Sequence, residues 1–104
     1  MAINEEIANQ IVDVVNSLDS LKKVKEKDRN TAESVKRGFV NKRILPSINK
    51  LDSMVVSEKK QTVDSVRKML HASQTIKSTP NGAPTTEGNN HIDEIIKKVK
   101  ELKD

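Results

Sequence analysis

Apolar residues recur at alternating steps of four and three along most of this chain. From Ile3 to Leu21 they form the series Ile7, Ile11, Val14, Leu18 and Leu21. Ala8, Val12 and Val15 widen the stripe, and no glycine or proline interrupts it. That spacing predicts an amphipathic helix. Glu5 and Glu6 suit its first turn, where the helix dipole favours negative charge. The register continues through Lys25, Asp28, Ala32, Val35 and Phe39, so one long helix reaching about Arg37 is expected. A competing start signal lies inside it. Asn30-Thr31-Ala32-Glu33 has the form of an N-cap followed three residues later by an acid.

A second heptad series runs from Ile44 to Ile76. Ile44, Leu51, Glu58, Ser65 and Ala72 share one position, and Ile48, Val55, Thr62, Met69 and Ile76 share the other. Between the two series lie Gly38, Asn41 and Pro46. Gly38 can supply a left-handed C-cap, and Pro46 suits a first helical turn while biasing Leu45 away from helical geometry. The chain is therefore expected to reverse over residues 38–45.

Folded about that turn, the two series meet as an elongated antiparallel, coiled-coil-like hairpin over residues 1–77. Ile7 pairs with Ile76, Val14 with Met69 and Val35 with Ile48, and a polar layer joins Lys25 to Glu58. Val12, Val15, Val24, Met54, Val56, Val63 and Leu70 fall outside this seam. A two-helix hairpin short of burial gains it from further helices, which predicts a helical partner, either another protein or a second copy. Val12, Val15, Val56, Val63 and Leu70, with Phe39 at the tip, are the candidate partner-binding residues. Residues 78–90 (STPNGAPTTEGNN) read as a flexible linker. Over residues 91–104 helical spacing resumes at Ile92, Ile95, Ile96, Val99 and Leu102. That is the docking stripe of a short amphipathic C-terminal helix, with Asn90 as its N-cap.

Composition sharpens this all-α picture. The 104 residues are 33% charged and 34% hydrophobic, with Phe39 the single aromatic. Thin-seamed helices suit that balance better than a thick globular core. The net charge of +4 is uneven: residues 41–77 carry eight basic and three acidic side chains, a difference of +5. Such an excess reads first as a solvated face. Nucleic acid, reached through the basic second helix and the KRGFVNKR turn (36–43), is the second reading, as in a phage- or plasmid-encoded helical regulator.

Candidate chemistry is sparse. There is no cysteine, and the only histidines, His71 and His91, have no metal-ligand spacing. No phosphate-binding glycine loop or nucleophile motif occurs. No enzyme and no cofactor are expected. No apolar run approaches the roughly 20 residues of a membrane span, and the start MAINEEIANQ is unlike a secretory signal. The expected setting is the cytoplasm, or export without a cleaved signal.

The stretch INKLDSMVVSEKKQTVDSVRKM (48–69), with its I-x-x-L and K-x-T-x-x-S-V-x-x-M alternation, resembles a known family. It is similar to the second helix of the small helical-hairpin proteins of type VII (ESX) secretion systems, in particular the short partners of LXG-domain toxins. Of the Trp-x-Gly turn common there, Gly38 alone matches, in Lys36-Arg37-Gly38. The tyrosine of the family's export signal is absent, since the chain has none. The resemblance implies a four-helix assembly of two hairpins and a chaperone or targeting role toward a larger effector. It also implies export without a cleaved signal, and the missing tyrosine makes that export one that rides with the partner.

Overall fold

The computed structural model describes residues 4–103, so the expected start at Ile3 lies outside the described residues. The chain is all-helical. It comprises α1 (Asn4–Lys22), α2 (Arg29–Phe39), a π-helical turn (Val40–Ile44), α3 (Leu45–Asp52), α4 (Lys60–His71) and α5 (Thr86–Lys100). Single 3-10 turns at Ser57–Lys59 and Ser73–Thr75 bracket α4. No described helix is long and apolar enough to cross a membrane.

The reversal expected over 38–45 does not occur. Phe39, Val40, Ile44 and Leu45 all keep right-handed helical geometry, so α2, the π turn and α3 form one continuous rod. Its buried positions explain the π turn. Ala32, Lys36, Val40, Ile44 and Ile48 are all buried, each four residues from the last. In a regular α-helix a step of four overshoots one turn by about 40°, so this line would drift off the core. One wide turn absorbs an extra residue, roughly 100° of that drift, and keeps the line facing inward. It also sits directly before Pro46, whose ring would clash with the carbonyl four residues back. The Leu45 N–H instead reaches back five residues to the Val40 carbonyl.

The first helix breaks earlier than its register suggests. A single helix would have carried Lys25 and Asp28 into the apolar seam. Instead the chain turns over residues 23–28, and the Asp28 carboxylate caps α2 by accepting from the Thr31 N–H at 2.8 Å. That bond holds the Asp28 carboxyl below the usual carboxylate range. A second break over 53–59 resets the phase again. The buried face of α4 is therefore Val63, Val66 and Leu70, not Thr62, Ser65 and Met69.

Four helical segments close into a ring. α1 packs on α3 and the π turn, α3 on α4, α4 on α5, and α5 on α1. Cross-links fix the directions. Gln10 of α1 meets Ser47, and Lys22 at the other end of α1 meets Asp93 near the start of α5. Arg67 bonds Asp52, and Lys59 reaches the Glu101 carbonyl. Successive segments are thus antiparallel, an up-and-down four-helix bundle measuring 44 × 17 × 16 Å. The core is aliphatic: Ile7, Ile11, Val14, Leu18 and Leu21 meet Ile44, Ile48, Leu51, Val63, Val66 and Leu70. Ile92, Ile95, Ile96, Val99 and Leu102 pack among them.

This arrangement corrects the two-helix hairpin. The burial it lacked comes from the chain's own C-terminal helix, which packs on both α1 and α4, so the helix of Val14 finds its main partners in α5 and α3 rather than in the helix of Met69. The segment read as a linker is a folded turn. Ser78 bridges to Pro84, and the Gly82 carbonyl accepts from the Glu26 N–H at 3.0 Å. Helix α5 begins at Thr86, with Thr85 rather than Asn90 as its cap. Gly82 is the one described residue with positive φ, +80°; Gly38, expected to adopt that geometry, lies mid-rod instead.

Candidate functional site

The rod faces three ways. Its inner line packs on the core. One flank meets α1, where the Gln10 amide donates to the Ser47 carbonyl and hydroxyl, both at 2.9 Å, and Ser47 Oγ donates to Asp13 at 2.6 Å. The other flank meets α4. There Arg67 bonds Asn49 and Asp52, and Lys60 bonds Asp52. Burial pushes the Asp52 carboxyl up, but these two cations outweigh it and hold the group below the usual range.

The remaining surface is an outward ridge of Gly38, Lys42, Pro46 and Lys50. Arg37 stands on the α4 side of it, beside His71 and Ser73, and Arg43 on the α1 side, beside Asp13 and Ser20. Arg37, Lys42, Arg43 and Lys50 are all exposed. None of the four makes an ion pair among the described residues. Residues 34–51 contain five basic side chains and no acidic one. Other lysines alternate with acids, as in Lys25-Glu26-Lys27-Asp28, or gather at a helix end, as Lys97, Lys98 and Lys100 do in α5. The ridge is therefore strongly basic along its length, with carboxylates at its borders: Glu33 and Glu87 beside Arg37, Asp13 beside Arg43, and Glu6 and Asp13 in the groove that Lys50 also lines.

The fifth cation is turned inward. Lys36 is 1% exposed, and its Nζ donates to the Lys77 carbonyl at 3.0 Å. Desolvation pulls its pKa down, partly opposed by Glu33 one turn away. Arg29 and Glu33 grip the backbone of Ser78 from the same face of α2, at 3.2 and 3.3 Å. This polar latch ties α2 to the 76–84 turn.

The expected partner-binding residues scatter. Val63 and Leu70 are core residues, at 0% and 3% exposure. Val15 and Phe39 are half-buried against the core, and Val56 is half-buried. Val12 is exposed, at 55%. Lys25 and Glu58 are both exposed and form no ion pair among the described residues, because each lies in a chain break rather than on a helix seam. The stripe Ile92, Ile95, Ile96, Val99 and Leu102 is buried within the chain itself. The run 36–43 was legible as basic; that it continues straight into Pro46 and Lys50 was not.

Other concavities offer little chemistry. One, about 690 Å³, is an open groove between α1 and α3 lined by Glu6, Gln10, Asp13, Pro46, Ser47 and Lys50, with no histidine in its lining. His91 Nε2 lies 2.8 Å from the Met69 carbonyl. No group of three His, Cys, Asp or Glu able to hold a metal occurs among the described residues. No protein-family model, curated protein or solved structure matches the chain.

Proposed function

We propose that this chain is a non-enzymatic binding module whose working surface is the outer ridge of the rod. The observation that carries this reading is the juxtaposition of Arg37, Lys42, Arg43 and Lys50, exposed and in no ion pair among the described residues, along a helix that the bundle supports from behind. Cations that only stabilise the fold are placed otherwise: Lys22, Lys60, Arg67 and Lys77 are each matched with an acid. A basic face left unmatched raises the local concentration of anionic partners and steers their approach.

The apolar-seam mode suggested by the type VII resemblance has lost its driving force, since Val63 and Leu70 are already buried. Val12 keeps a protein partner on α1 as the second reading. A photo-crosslinking side chain placed in cells at position 42, and in a separate variant at position 12, separates the two. Adducts from position 42 and none from 12 are expected. Adducts from 12 alone, or from neither, contradict the ridge as the working surface.

A further inference from the structure

We infer that the partner of the ridge is double-stranded nucleic acid, held through its phosphate backbone. The inference rests on the ridge being the working surface and adds the chemistry of what it meets. Charge comes first. Four exposed cations that make no ion pair among the described residues, Lys42 and Lys50 on the crest with Arg37 and Arg43 on its two flanks, match a polyanion whose charges repeat every 1.7 Å or so along the duplex axis.

Shape agrees. The rod spans residues 29–52, about 36 Å at 1.5 Å per residue, close to one turn of B-form DNA. Lys42 stands at the crest, with Arg37 and Arg43 on opposite flanks, so cations reach to both sides of the helix. The crest is low at Gly38, where a side chain would meet nothing within 4 Å. The backbone can therefore approach a groove closely.

Two competing partners fit less well. Single strands are held by bases stacked on aromatic rings, and Phe39, the only aromatic, is half-buried against the core. An acidic protein helix would need apolar anchors in the centre of its footprint; the rod exposes one large apolar side chain, Val35 at 42%, and it lies toward one end of the ridge, with only Pro46 beside Lys42 and Lys50. The acids of α1 sharpen the orientation. Glu5, Glu6 and Asp13 are exposed and repel phosphate from that face; Asp13 borders Arg43, and Glu6 and Asp13 share a groove with Lys50, so a duplex is turned toward Lys42 and Arg37 and away from α1.

The test is fluorescence anisotropy of the full-length protein with a labelled random duplex and the matching single strand. Binding to the duplex at about 50 mM salt is expected, falling roughly a hundredfold by about 200 mM for four phosphate contacts. Lys42→Gln should lower the log–log salt slope by about 0.9. The quadruple variant R37Q/K42Q/R43Q/K50Q should abolish binding while keeping the wild-type circular dichroism and melting curve. The control variant Lys97→Gln/Lys98→Gln, altered on α5, should bind as the wild type does. No duplex binding at low salt, an unchanged slope in the quadruple variant, or preference for the single strand overturns the inference. If position 42 then crosslinks in cells only to protein, in adducts that resist nuclease, the ridge stands and nucleic acid falls. If it crosslinks to nothing, both fall.

Discussion

Two glycines of this chain do opposite work. Gly82 has φ +80°, and a Cβ there would come 2.2 Å from the Glu26 carbonyl oxygen, so only glycine lets the 76–84 turn lie on the 23–28 loop. Gly38 lies in the rod with open space around it, where its effect on stability is confined to the entropy it adds to the unfolded chain. Gly82→Ala should therefore cost about 1–3 kcal/mol. Gly38→Ala should stabilise by about 0.5–1 kcal/mol. Urea titration checks both, and equal effects would contradict the assignments. Lys36 makes a pH prediction. Burial lowers its folded pKa below 10.5, so between those two values the unfolded chain binds more protons and stability rises with pH. The penalty is full below the folded pKa and gone above 10.5. The wild type should gain stability relative to Lys36→Met as pH climbs from neutral toward that limit; parallel profiles would refute a buried ammonium.

Among elements, the rod and α5 show where the sequence was readable and where it was not. The stripes of α1 and α5 were legible because each helix keeps one phase from end to end, and all of Ile7, Val14, Leu18, Ile92, Ile95 and Val99 are buried. The rod was not, because its register depends on a π turn. Read in steps of four and three, the pattern selects Val35 and Phe39, whereas the core takes Lys36 and Val40. A buried lysine in that line disguises it further, and Pro46 imitates a helix start. The binding ridge stayed hidden for the same reason: a basic tip at 36–43 and a solvated helix from 44 onward look like separate features until the helix is known to be continuous. If the π turn houses one extra residue, deleting Asn41 restores an ordinary helix but leaves Pro46 clashing, at about 3 kcal/mol. Adding Pro46→Ala should recover most of that loss. Failure of the double change to recover would show that the turn is held by something other than register and proline. Helix α5 should prove indispensable: a chain ending at residue 84 should lose its cooperative thermal transition, since Ile92, Ile95 and Val99 fill the core between α1 and α4. Retention of that transition would restore the self-standing hairpin.

For the molecule as a whole, self-sufficiency is the difference that matters. A hairpin with an open seam needs a partner to fold, and its function follows from that need. A ring of four antiparallel segments satisfies its own core, so partners are left to the surface, where charge rather than grease selects them. The protein should accordingly run as a monomer in gel filtration with light scattering at micromolar concentration, and a dimer that survives dilution would reopen the seam.

All of this depends on the rod passing straight through residues 38–45. Because the chain has no cysteine, spin labels on Asn30→Cys and Lys50→Cys report that geometry without background. A continuous helix separates the two backbones by about 30 Å, twenty residues at 1.5 Å each. A chain reversing near Asn41 would bring them to about 10 Å, the spacing of packed helices. A pulsed dipolar distance near 30 Å is the expected result, and one near 10 Å would contradict the bundle and the ridge together.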